Sequence, residues 1–342
     1  MSVDVVGLDL GKSVFHIVGI DAKGKRIFAK KLTRKQLLVF TSNIPSCLIG
    51  MEACCGAHAI ARTLIAQGHD ARLVPGEYVV PYVKTQKNDF IDAEAIAEAT
   101  QRANMRFVPV KTDEQLDLQA LHRVRERLIA RRTCLTNQVR GFLLDRGFAV
   151  SVGRSSIEKR LPRILEEAES TLTTRMRRIL FELREEWRDI DARLAQVTVE
   201  IEEIARQHES CRRLTTIPGV GPMISTAIIA AVGNGAMFRK GRDFAAWVGL
   251  VPRQRSTGGR TRLSRITKHG NAYIRKLLIQ GARSIMSNTH RGIHSFGGWL
   301  TRLQSRTVNN VAAVAMANKL ARIAWAVLAK GEVYRAAEPL AA

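Results

Sequence analysis

With 342 residues, 46% of them hydrophobic, the chain is long enough for two or three domains, and its formal net charge is +23. A charge of that size is costly in a compact protein unless a polyanion shares it, so nucleic acid is the expected partner; the lack of pure Lys/Arg tails argues against ribosomal and membrane-surface proteins. Five scattered cysteines (Cys47, Cys54, Cys55, Cys134 and Cys211) without a C-x-x-C pair argue against a zinc site and a disulfide framework, and with no signal-peptide h-region they predict a reduced, cytoplasmic, nucleoid-associated protein without a membrane role.

The first elements read as strands. Val3–Leu10, Val14–Ile20 and Arg26–Leu32 are short apolar runs separated by tight turns at Gly11-Lys12 and Ala22-Lys23-Gly24, an antiparallel meander. Cys47–Met51 reads as a fourth strand, Ala57–Gln67 as a helix, Ala71–Val74 as a fifth strand and Asp92–Ala103 as a helix. Three antiparallel strands followed by alternating helix and strand is the element order of an RNase H-like fold. Asp113–Gly147 predicts a basic helix, with Leu121, Val124, Leu128, Leu135, Val139 and Phe142 at helical spacing and arginines between them.

From Met176 the apolar positions step 4-3-4-3 through Leu180, Leu183, Trp187, Ile190, Leu194, Val197, Ile201 and Ile204. This heptad seam predicts a long coiled-coil arm, with an intramolecular hairpin against Glu114–Leu144 as a compatible alternative. Thr215–Gly221 then opens a helix over Pro222–Val232, the pattern of a helix–hairpin–helix module in which Gly219 and Gly221 let backbone amides approach a phosphate. Val251–Arg260 reads as a flexible basic loop. Val311–Leu328 is apolar but broken by Asn318, Lys319 and Arg322, which predicts a core helix rather than a membrane span. The fold class expected is α/β plus α, divided into 1–110, 111–210 and 211–342.

Four acids carry the chemistry. Asp9 lies near the end of the first strand, Glu52 just past the fourth, and Asp89 and Asp92 at the mouth of a helix, three apart and so on one face. Carboxylates that converge repel one another unless cations lie between them, and hard oxygen ligands suit Mg²⁺ or Mn²⁺. Two such ions stabilise the attacking and leaving oxygens of a phosphodiester. Taken singly, each acid is better explained as a turn residue, and Asp92 as a helix N-cap; the four together, in that order on that fold, carry the metal reading.

On Gly7–Lys12, Met51–His58, Lys87–Ala93, Thr216–Gly221 and Gly249–Gly259, the chain resembles the DEDD transposases of bacterial insertion sequences, a family that includes the Piv DNA invertases. Cys54-Cys55-Gly56 and Ile60 depart from that pattern. The resemblance implies a RuvC-like N-terminal domain, a coiled-coil linker and a C-terminal transposase domain. It implies that Asp9, Glu52, Asp89 and Asp92 form an acidic tetrad and that Ser256, with Thr257 as the alternative, is a nucleophile on DNA. It also implies donor and target double-stranded DNA as partners and a structured guide RNA encoded by the element. Phosphate contacts are expected from Lys12, Lys87, Arg253, Arg255, Arg260 and Arg262, together with the backbone at Gly219 and Gly221. A homo-oligomer, dimer or tetramer, is expected to bring the acidic site to Ser256. The competing readings are a RuvC-type junction nuclease, which leaves free ends, and a non-catalytic helix–hairpin–helix binding protein, which needs no divalent ion.

Overall fold

The computed structural model describes residues 3–83, 88–167, 171–287, 296 and 298–336. By internal packing the chain divides into two compact units, Met1–Asp113 and Glu114–Ala342.

The first unit is a five-stranded mixed sheet with helices. Its strands are β1 (Val5–Leu10), β2 (Val14–Ile20), β3 (Arg26–Thr33), β4 (Leu48–Glu52) and β5 (Asp70–Val74), in the order β3-β2-β1-β4-β5. β1–β2 and β2–β3 are antiparallel, whereas β1–β4 and β4–β5 are parallel. This mixed sheet is consistent with an RNase H-like transposase domain. The helices are α1 (Arg34–Ser42), α2 (Ala57–Ala66), a single turn α3 (Gly76–Val79) and α4 (Asp89–Thr100). α1 was not expected from the sequence. The Thr33 hydroxyl accepts from the Gln36 amide while the Gln36 side chain accepts from the Thr33 amide, a capping box that starts it. α4 begins three residues earlier than expected, because Asn88 and not Asp92 is its N-cap; the Asn88 side chain accepts from the Phe90 amide.

α4 lies unusually close on the sheet. A Cβ added to Gly7 of β1 would stand 1.9 Å from the Ala93 carbonyl oxygen, and one on Gly50 of β4 would stand 1.8 Å from Thr100 Oγ1. Only glycine at these strand positions, under a helix face of Ala93, Ala97 and Thr100, permits the contact. Gly7→Val is therefore expected to push α4 off the sheet and to destabilise the protein by about 1–3 kcal/mol. Chemical denaturation measures this directly, and a valine variant as stable as wild type would show that the helix yields freely.

The second unit is mainly helical. α5 (Asp113–Leu144), α6 (Arg154–Glu167) and α7 (Thr174–Gln207) share one core of Leu128, Leu135, Val139, Ile157, Leu161, Leu180, Trp187 and Ile190 among others. The heptad seam is thus covered within the chain, as in the intramolecular alternative, and α6 covers part of it. Phe181 and Val199 on α7 remain exposed. A second core joins α8 (Glu209–Thr215), α9 (Pro222–Val232), α10 (Gly241–Trp247), α11 (Ala272–Ser287), α12 (Gly298–Arg306) and α13 (Asn309–Lys330). α13 is the one helix among the described residues long and apolar enough to cross a membrane; half of its most apolar stretch is buried.

His122 links three helices of this unit. Thr226 Oγ1 donates to the Pro222 carbonyl at 2.6 Å, so it accepts from His122 Nε2 at 3.0 Å. His122 Nδ1 must then accept from the Tyr273 hydroxyl at 2.9 Å. The ring is neutral, and burial together with the nearby Arg125 lowers its pKa to about 4. A histidine depressed in the folded state contributes stability that is complete above its unfolded pKa of about 6.5 and is lost as pH falls toward 4. The expected loss over that window is about 3 kcal/mol. Urea melts at neutral pH and near pH 4.5 should show it in wild type and not in His122→Leu; the same pH slope in both would remove His122 as the cause.

Candidate active site: an acidic cluster and a serine hairpin

The close seat of α4 decides where the acids stand. Asp9 is on β1, Glu52 is the last residue of the adjacent parallel strand β4, and Asp89 and Asp92 are in the first turn of α4. Burial raises the Asp9 pKa, and the charges of Asp89, Asp92 and Glu52 raise it further. All four carboxylates therefore act on one region of space. Gly76 leaves room for the Glu52 carboxylate, since an added Cβ would stand 2.2 Å from Glu52 Oε1.

A fifth residue, missed in the sequence, belongs to this cluster. His16 on β2 is the cross-strand partner of Asp9, and its Nδ1 lies 3.4 Å from Asp89 Oδ2. The Phe90 and His16 rings pack nearly perpendicular, with centroids 4.8 Å apart, which limits the His16 orientation. One ligand atom each from Asp9, His16 and Asp89 lies within 4.8 Å of the others, a group able to hold a metal ion. Counting the register outward from the Gly11–Ser13 turn would have placed position 16 opposite position 9. Lys12 is exposed in that turn. Lys87 lies outside the described residues.

The basic loop expected at Val251–Arg260 is instead half of a hairpin, β6 (Pro252–Thr257) paired antiparallel with β7 (Arg260–Ile266). The reason is Gly258-Gly259: both adopt positive φ, +55° and +76°, as a two-residue type I′ turn requires. All of β6 is exposed. Ser256 pairs with Thr261, and Gln254 with Leu263. Gln254 Nε2 donates to Ser256 Oγ at 2.9 Å, and Thr261 Oγ1 is 3.2 Å from it. Because strand residues alternate faces, Arg255, Thr257, Arg260 and Arg262 lie on the opposite face from Ser256. Arg255 stands directly across from Arg262, a like-charge pair that costs stability unless an anion shares it. Arg253 lies at the register shift near the base, where its Nη2 donates to the Thr267 carbonyl at 3.1 Å.

At the α8–α9 junction the Val220 amide donates to the Ile217 carbonyl at 2.9 Å, closing a turn with Pro218 second and Gly219 third. Gly219 has φ +80°, as the third position of a type II turn demands. It also packs against α11, where a Cβ on Gly281 would stand 2.3 Å from the Gly219 carbonyl oxygen. Gly221 precedes Pro222 as the N-cap of α9, with open space where its Cβ would be.

Known proteins match this chain in sequence along nearly its whole length. Residues 6–148 match the DEDD-type IS110 transposase model, described as Transposase, and residues 211–296 match the family described as Transposase IS116/IS110/IS902. A Pseudomonas aeruginosa protein named "Probable family 20 transposase" is 43% identical over 98% of this chain and 99% of its own length. The chain belongs to the IS110/IS116 transposase family. The transposase for insertion sequence element IS1328 of Yersinia enterocolitica is 40% identical over 97% of this chain and 99% of its own length. The one for IS1111A of Coxiella burnetii is 40% identical over 97% and 92%. An insertion-sequence transposase of this family cuts and rejoins DNA, so DNA is its substrate.

Proposed function

We propose that this transposase exchanges DNA strands with two sets of groups. Asp9, Glu52, Asp89 and Asp92, joined by His16, hold Mg²⁺ or Mn²⁺, and Ser256 becomes linked to a strand end. The reading is carried by the acidic cluster: four carboxylates and one imidazole set by secondary structure, with the Asp9 pKa raised by burial and then by its neighbours' charge. The donor set fits the ion, since it is rich in hard oxygens, whose mutual repulsion at Asp9 is opposed by His16. The bound ion would supply Lewis acidity toward a phosphodiester. The chain's own residues do the rest. Phe90 limits the orientation of the His16 ring, Gly7 and Gly50 fix α4, and the arginine face of the hairpin meets phosphates.

The phosphate contacts assigned to Lys12, Lys87, Arg253, Arg255, Arg260 and Arg262, and to the backbone at Gly219 and Gly221, remain part of this reading. So do the three-part division at 110 and 210, an element-encoded guide RNA and a homo-oligomer. Gly219 also has a packing role against Gly281, so the phosphate role rests more on Gly221.

Calorimetric titration with Mn²⁺ tests the cluster without any DNA. Wild type should bind, Asp9→Asn and Asp89→Asn should not, and His16→Ala should bind about 10- to 100-fold more weakly. Unchanged binding by Asp9→Asn would overturn the assignment, and unchanged binding by His16→Ala would leave the acids and remove the imidazole.

A further inference from the structure

A groove of about 1570 Å³ runs along α13 in the second unit. α13 is apolar on two faces. Ala313, Met316, Ala317, Leu320 and Ala324 are buried in the core. Val311, Val314, Ala315, Ile323 and Ala326 form a second stripe at helical spacing and floor the groove. Val311 is 52% exposed. The other four are partly buried, Val314 and Ile323 against the core, so the groove exposes only part of each, and an apolar surface left open in this way suits a ligand.

The rim is cationic. Lys240 and Arg242 at the start of α10, Arg265 and Lys268 in and after β7, and Lys319 and Arg322 on α13 all line it, and no Asp or Glu does among the described residues. Lys319 and Arg322 are a like-charge pair one turn apart, which costs stability without an anion. Burial and Arg322 lower the Lys319 pKa. Lys319 Nζ stands 4.0 Å from the centre of the Trp299 ring. Trp325 also lines the groove, its Nε1 donating to the Phe238 carbonyl at 3.2 Å.

An apolar, tryptophan-bearing floor inside a cationic rim suits unpaired nucleotides, with bases on the floor and phosphates on the rim. A duplex, whose bases are stacked inside, would leave the floor unused. The hairpin register gives the direction of the strand. Gln254–Leu263 and Ser256–Thr261 are successive pairs on one face, and beyond the register shift at their base Pro252 pairs with Ile266, both of which line the groove. Ser256 is four residues from Pro252, about 13 Å along an extended strand. Leu263, 66% exposed, lies between. The volume exceeds the roughly 300–1,000 Å³ of a pocket for one small molecule, so it has room for more than one nucleotide.

We infer that this groove binds the unpaired DNA strand that runs on from the phosphate at Ser256. The inference rests on Ser256 acting on DNA. An apolar floor also disfavours a 2′-hydroxyl, so DNA is preferred to RNA.

The test uses the full-length protein with EDTA, so that neither metal nor strand scission enters. Fluorescence anisotropy would follow labelled oligothymidylate of about ten nucleotides, the matching oligouridylate and a hairpin duplex. Trp299→Leu and Val311→Asp should each weaken oligothymidylate binding about tenfold or more and leave duplex binding within about twofold. Val311 is exposed enough that its variant should fold, which circular dichroism would verify. Ser256→Ala should bind the single strand as wild type does, so failure of the serine chemistry and failure of the groove are separate results. Unchanged affinity in both groove variants, or an equal loss on duplex, would overturn the inference. Oligouridylate bound as tightly as oligothymidylate would assign the groove to RNA and overturn the DNA assignment. Self-association lost in Val311→Asp, without loss of oligonucleotide, would assign it to a second copy of the chain.

Discussion

Asp9→Asn is expected to abolish strand exchange and, at the same time, to raise the thermal stability of the metal-free protein. Asp9 is half buried beside three other carboxylates, and its pKa is raised first by that burial and then by Asp89, Asp92 and Glu52. A carboxyl whose folded pKa exceeds its unfolded value contributes stability below the unfolded pKa and loses it as pH rises through the folded value. At neutral pH the ionised Asp9 therefore costs stability, and asparagine removes the charge while keeping the shape. Activity should fall at least a hundredfold, more than loss of a residue that merely supports a ligand. Divalent metal should raise the melting temperature of wild type and leave Asp9→Asn unmoved. Recombination at the wild-type rate by well-folded Asp9→Asn would end the metal-site reading. A variant both inactive and less stable would mean that Asp9 serves the fold.

Ser256→Ala should bind DNA normally yet form no covalent protein–DNA product, and strand exchange should fall by roughly 10⁴-fold or more. In the proposed step the Ser256 oxygen bonds to phosphorus as one phosphorus–oxygen bond of the DNA breaks. The serine loses a proton and the departing strand oxygen gains one. The phosphodiester energy is kept in the serine link, so rejoining needs no external energy source. Gln254 and Thr261 touch Ser256 Oγ, but neither is a base. His269 is the nearest histidine in sequence. Activation is therefore expected to come from outside the hairpin, and the adduct seen on denaturing gels should need divalent metal as well as Ser256. Thr257 lies on the other face, with Arg255, Arg260 and Arg262. With Ser256 as the nucleophile, Thr257→Ala should leave the adduct intact. An adduct that survives Ser256→Ala and disappears in Thr257→Ala would exchange their roles.

The strands were legible because β-branched runs such as Val3–Leu10 and Val14–Ile20 alternate between turn residues. The acids were legible as motifs at strand ends and a helix start. His16 was not, because its part depends on a register rather than on sequence distance. The β6–β7 hairpin escaped because nearly all its residues are polar and exposed, so no apolar alternation marks it; the Gly258-Gly259 pair was the usable signal. The α6 helix escaped although Ile157, Leu161 and Ile164 recur at helical spacing, since Pro162 reads as a break. The seam on α7 was legible as a stripe, but a stripe does not name its partner. Here α5 and α6 of the same chain cover it.

The seat of α4 on Gly7 and Gly50 also sets how the acidic cluster responds to local opening. The backbone of the acids on α4 parts from that of the acids on the strands when the helix leaves the sheet, which breaks the buried contacts of Ala93, Ala97 and Thr100. Their amides should exchange hydrogen as slowly as the central strands do, in one cooperative unit. Ser256 sits on a two-stranded ribbon with no buried face, and such a ribbon has little stability of its own. Its amides should exchange near the rate of an open chain until nucleic acid covers them. Under the proposed mechanism the carboxylates are the rigid partner and the serine the one free to be drawn onto its phosphate, so the timing of strand exchange falls to the ribbon.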